Sequence, residues 1–145
     1  MRITSDAFRD NDHLPAKHAR AGEDINPPLT LSETPAETIS FALIMDDPDA
    51  PGRTFTHWVV YNMAPGTLQI MEGSLPMNAV EGLNDYGEKS YGGPAPPSGT
   101  HRYIFTIYAL DSELAHDEEM TASKLRQAME GHVLDSAQIM GLSSS

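Results

Sequence analysis

Two histidines, two aspartates and a tyrosine are the residues of this 145-residue chain whose types and spacing suit chemistry. In His101–Ile107, strand alternation puts His101, Tyr103, Phe105 and Ile107 on one face and Arg102, Ile104 and Thr106 on the other. The same count groups His57 with Val59, Tyr61 and Met63. Each histidine therefore opens an apolar layer at the start of a strand, where a pocket mouth forms. Nearby in sequence, Met45–Gly52 runs a strand into Asp46, Asp47 and Asp49, punctuated by Pro48 and Pro51. Proline fixes its own φ and holds the preceding residue extended, so Asp47 and Ala50 are restrained, and Ala50–Pro51 is a candidate cis bond. A rigid carboxylate fixes an imidazole's tautomer or meets a cationic group. Imidazole and phenol groups donate to phosphate or carboxylate oxygens. Together the two strand-start histidines and the rigid Asp segment mark one candidate pocket rim. Singly, each is ordinary: Asp beside Pro is turn chemistry, and a strand-end histidine is commonly a satisfied structural group.

The elements that must position them follow from composition and period. Ile39–Met45, Thr56–Met63 and His101–Leu110 read as strands, rich in β-branched and aromatic residues and bounded by Gly, Pro or Asp. Leu125, Ala128, Met129, His132 and Val133 recur at helical spacing, with Thr121 as a candidate cap. Strands dominate and the helix comes late, which predicts one mainly β domain over residues 1–145. Its expected form is an antiparallel sandwich rather than a barrel, with a small peripheral C-terminal helix. Asp111, Glu113, Asp117, Glu118 and Glu119 read as a solvated loop or helix entry, and Ser143–Ser145 as a frayed end. Trp58 reads as core packing, and His13, His18, His116 and His132, without patterned partners, as structural.

Composition narrows the partners. Nine basic against 21 acidic residues give a net charge of −12, and no Lys or Arg run forms a patch for nucleic acid or an anionic leaflet. There are no cysteines, which removes disulfides, thiolate metal ligands and a thiol nucleophile. No signal-like stretch or membrane-length apolar run is present, so a cytoplasmic protein without stable membrane insertion is expected.

Three stretches in order resemble one family. They are Asp47-Pro48-Asp49-Ala50-Pro51, His57-Trp58-Val59-Val60-Tyr61-Asn62-Met63 and Tyr91-Gly92-Gly93-Pro94-Ala95-Pro96-Pro97-Ser98-Gly99-Thr100-His101-Arg102-Tyr103. The sequence is similar to the phosphatidylethanolamine-binding proteins, in particular to their bacterial and archaeal Raf kinase inhibitor-like branch. The resemblance implies an antiparallel sandwich with a small anion-accepting pocket at one end. It implies a pocket lined by Asp47, His57, His101 and Tyr103, with Asp49 nearby and Pro97 in the wall. It further implies a phosphorylethanolamine-like ligand, a protein kinase or protease partner and a homodimer, with no cofactor. The expected function is binding rather than catalysis. The competing reading is a metal-dependent or acid/base hydrolase using the same His/Asp set, with Ser98, three residues before His101, as a weak nucleophile candidate.

Overall fold

The computed structural model describes all 145 residues, Met1 to Ser145. Two antiparallel sheets form the body. The larger contains β3 (Ser40–Asp47), β4 (Phe55–Met63), β6 (Val80–Glu81), β7 (Thr100–Leu110) and β8 (Val133–Ser144), in the order β6-β4-β3-β7-β8. The smaller contains β1 (Arg2–Thr4), β2 (Leu29–Ser32) and β5 (Gln69–Ile70), in the order β1-β2-β5. One helix, α1 (Ala122–Met129), precedes β8.

Burial follows from position in the layers. β3 is central and covered on both faces, so Phe41, Leu43 and Met45 join the core between the sheets while Ala42 and Ile44 join a second core under α1. A strand buried on both faces reads as a continuous apolar run. β7 alternates: Tyr103, Phe105, Ile107 and Ala109 are buried between the sheets, and the residues between them are more exposed. β3 ends at Asp47 and β7 begins at Thr100, next to His101, on the same rim.

β4 departs from simple alternation twice. Met45 pairs with Trp58 but Asp46 pairs with Thr56, so His57 is an extra residue in a β-bulge. Phe41 pairs with Met63 but Leu43 with Val60, a second irregularity at Asn62, which takes φ of 57°. The second bulge turns Met63 into the core between the sheets, while Val59 and Tyr61 pack under α1.

The helix is capped as expected, the Thr121 side chain accepting from the Lys124 amide. It ends earlier than the apolar spacing predicts. Gly131 takes φ of 80°, and the chain then turns into β8, so Val133 is a strand residue and His132 is exposed, its Nδ1 donating to Asp111 Oδ1 at 2.8 Å. The serine end is not frayed: Ser143 and Ser144 lie in β8 opposite His101 and Thr100, and the Ser145 amide donates to the Gly99 carbonyl. The acidic segment after Leu110 is a loop, clamped by Asn62, whose amide exchanges two 2.8 Å hydrogen bonds with the Leu114 backbone. No helix is long and apolar enough to cross a membrane.

Candidate functional site

The rim shared by β3, β4 and β7 opens into a cavity of about 250 Å³. β3 contributes Asp47, β4 contributes Phe55 and His57, and β7 contributes His101 and Tyr103. Connecting segments supply Ala50, Pro51, Tyr86, Ala95, Pro96 and Pro97. Five of the six residues singled out from the sequence, Asp47, His57, Pro97, His101 and Tyr103, therefore share one wall.

The sequence count of faces fails for His57, and the bulge explains why. Plain alternation puts His57 beside Val59 and Tyr61; the extra residue turns it away from them and toward Tyr103, ring centroids 5.1 Å apart. Ala50–Pro51 is also not cis, since every peptide bond in the chain is trans.

His101 Nδ1 donates to Asp47 Oδ2 at 2.7 Å, both side chains being buried. The other Asp47 oxygen accepts the Asp49 amide at 2.7 Å, closing the turn around Pro48. Asp49 does not line the cavity. Its carboxylate accepts the Arg102 backbone amide, Nε and Nη2 at 2.8–2.9 Å, so it staples the Pro48 turn to the residue after His101. That fork and the backbone donor hold its pKa down at about 2.

His57 Nδ1 donates to the Gly92 carbonyl at 2.7 Å. Burial pushes its pKa below the usual histidine value, against the opposing pull of that bond and of Asp47 and Asp46. Burial, and then the Asp47 charge, push the Tyr103 phenol well above its ordinary value, so it stays a neutral O–H.

Tyr86, like Phe55, is a cavity residue that sequence reasoning missed. Its hydroxyl donates to the Gly93 carbonyl, its ring packs edge-on against Phe55 and His57, and the Arg20 guanidinium lies 4.0 Å from its centroid. It comes from the Asn84–Gly87 turn, where no period exists to give its direction; an isolated aromatic in a turn was the sole signal. Gly92 and Gly93 permit this arrangement. A Cβ at Gly92 would lie 2.5 Å from the Tyr86 ring, and one at Gly93 would lie 2.2 Å from the His18 carbonyl oxygen.

No group of three or more His, Asp or Glu side chains is arranged to hold a metal ion. Ser98 is exposed and absent from the cavity wall.

The model of the phosphatidylethanolamine-binding protein family matches residues 4–144. The chain belongs to that family. A UPF0098 protein of Methanothermobacter thermautotrophicus is 44% identical over 98% of this chain and 97% of its own length. The solved structure of a phosphatidylethanolamine-binding protein homologue from Chlamydia trachomatis superposes with a TM-score of 0.95 at 40% identity, covering 99% of this chain and 97% of that one. That of Escherichia coli YbcL, described as a new member of the mammalian family, gives 0.93 at 28% identity over 99% and 98%. Family and antiparallel β fold are thus as the three sequence stretches imply, and the family's bacterial and archaeal UPF0098 proteins are among the relatives.

Proposed function

We propose that this family member binds a small phosphate- or carboxylate-bearing group, such as a phosphorylethanolamine-like headgroup, in the cavity at the His101 rim. The observation that carries the reading is the convergence of His57 from β4 and of His101 and Tyr103 from β7 on one pocket with Asp47 behind His101. The ring walls of Phe55 and Tyr86 and the Asp47 carboxylate suit an ammonium group carried by the same ligand. A zwitterion of headgroup size also suits a protein of net charge −12 better than a polyanion or an anionic bilayer does.

Binding rather than hydrolysis is the reading favoured here. The His101–Asp47 pair alone would orient a general base, yet no Ser or Thr lines the cavity beside it to serve as nucleophile. Family membership further supports a cytoplasmic protein with a kinase or protease partner, working as a homodimer; size-exclusion chromatography tests the dimer. A pull-down comparing wild type with the double variant His57→Ala, His101→Ala tests whether partner and pocket are separate surfaces.

The deciding experiment is calorimetric titration of phosphorylethanolamine and of acetate into wild type and His101→Ala at pH 6. Saturable binding that weakens about tenfold or more in the variant is expected from loss of a charge-assisted hydrogen bond. No binding to wild type, or equal binding to both, overturns the proposal.

A further inference from the structure

The hydrogen bonds behind the cavity fix which nitrogen of each imidazole is turned toward a ligand. His57 Nδ1 faces the Gly92 carbonyl, which only accepts, so Nδ1 carries the hydrogen. A neutral imidazole has one N–H, and His57 Nε2 is therefore a bare lone pair. His101 Nδ1 is likewise committed to the Asp47 carboxylate. Neither Nε2 has a partner in the chain. The sealed, unpartnered side-chain nitrogen or oxygen of this molecule is His18 Nε2, so the Nε2 atoms of the two cavity histidines open onto the pocket.

With neutral imidazoles the wall is thus rich in acceptors. His57 Nε2, His101 Nε2 and Asp47 all offer lone pairs, the Tyr86 hydroxyl is spent on Gly93, and Tyr103 is the remaining side-chain hydroxyl. Such a wall repels the oxygens of a phosphate or carboxylate. A proton on Nε2 reverses the polarity of that atom and offsets the Asp47 charge. Resting on the small-anion reading above, we propose that the anion enters this pocket together with a proton, which is held on Nε2 of His57.

The surroundings of His57 set the state of the empty pocket. Asp46 and Asp47 on β3 attract a proton to the ring. Tyr103 on β7 and Tyr86 in its turn face it as neutral phenols, and the Arg20 cation lies over Tyr86. Burial outweighs the carboxylates and keeps the free imidazole neutral at pH 7. His101 already has a carboxylate, Asp47, in hydrogen-bond contact, with the Asp49–Arg102 pair beside it. His57 lacks such an anionic partner until an anion arrives. The bound anion is the missing partner, and each stabilises the charged form of the other.

Two measurements on the wild-type protein test this. Phosphorylethanolamine is titrated calorimetrically between pH 7 and 8.5 in buffers of contrasting ionisation enthalpy, a window in which a phosphate ester, with second pKa about 6, is already a dianion. Imidazole ¹⁵N resonances are followed in the saturated complex. The expected result is uptake of about one proton per ligand, affinity falling about tenfold per pH unit, and His57 Nε2 moving from the unprotonated to the protonated signature. In His57→Gln, an amide that donates without a proton, uptake drops by about one; should that variant not fold, the wild-type resonances decide. Binding without proton uptake, or with the proton found on His101 alone, overturns this inference and leaves headgroup binding standing. No binding of phosphorylethanolamine at any pH from 5 to 8.5 overturns both.

Discussion

The two ends of β4 carry the same device put to opposite uses. At Asn62 a bulge turns a side chain out of register and every polar atom it exposes is consumed: the amide exchanges two hydrogen bonds with Leu114, fixing the acidic loop over the second core. At His57 a bulge turns a side chain out of register and one polar atom is left over, facing a cavity. A closed polar network specifies structure; one with a vacancy for a partner is available for binding. The difference lies in the second partner, since the irregularity of the strand is common to both.

The largest way to break this comparison is at Asn62. Asn62→Val loses both bonds to Leu114 and forces a β-branched residue to φ of 57°, which is expected to cost about 3 kcal/mol in urea denaturation. Asn62→Gly keeps the backbone freedom and is expected to cost about half as much. Neither is expected to change headgroup affinity in the folded fraction; a loss there would show that the two ends are coupled.

A smaller effect sharpens the other end. The His57 pKa is lower folded than unfolded, so the unfolded chain takes up a proton first as pH falls. Stability from this residue is complete above pH about 6.5 and declines below it until the folded histidine also titrates. The urea midpoint is expected to drop between pH 7 and 5 and to drop less in His57→Phe. An equal drop in both would assign the loss to other groups.

The smallest expected change is at Asp49. Its folded pKa of about 2 lies below the usual carboxylate value, so its contribution is present above pH about 4 and lost as pH falls through 2. Asp49→Asn is expected to leave stability at pH 7 nearly unchanged, because Arg102 is half exposed and water screens the pair. Headgroup affinity is expected to fall two- to threefold, a rough figure for loosening a positioning contact behind His101. An effect as large as that of His101→Ala would mean that Asp49 meets the ligand directly.

What the sequence made legible was set by period. β3, β4 and β7 carry enough β-branched and aromatic residues to mark them, and His101 and Tyr103 keep the face that alternation assigns because β7 is regular beside the cavity. His57 was placed on the wrong face because a bulge inserts one residue without changing composition. β8 was invisible as a strand: Asp135, Ser136 and Gln138 sit on an edge that water reaches, so no apolar run marks it, and Val133 was drawn into the helical stripe. The short strands of the smaller sheet, β1, β2 and β5, offer two to four residues each, too few to show a period. Asp49 was grouped with the pocket because it shares a turn with Asp47, whereas its carboxylate points to Arg102.

The outer edge of β8 is partly covered by the other end of the chain: the Asn11 and Leu14 amides donate to Met140 and Leu142, and the Leu142 amide donates to Asp12. Contacts spanning nearly the full sequence carry a large loop-closure cost and form late. β4 and β7 both pair with β3 without β8, and the far edge of β7 stays open until β8 occupies it. Until β8 docks, β7 is paired on its β3 side alone, and the cavity residues His101 and Tyr103 lie on that strand. Docking of β8 therefore covers the open, aggregation-prone edge of the strand that carries two residues of the cavity wall.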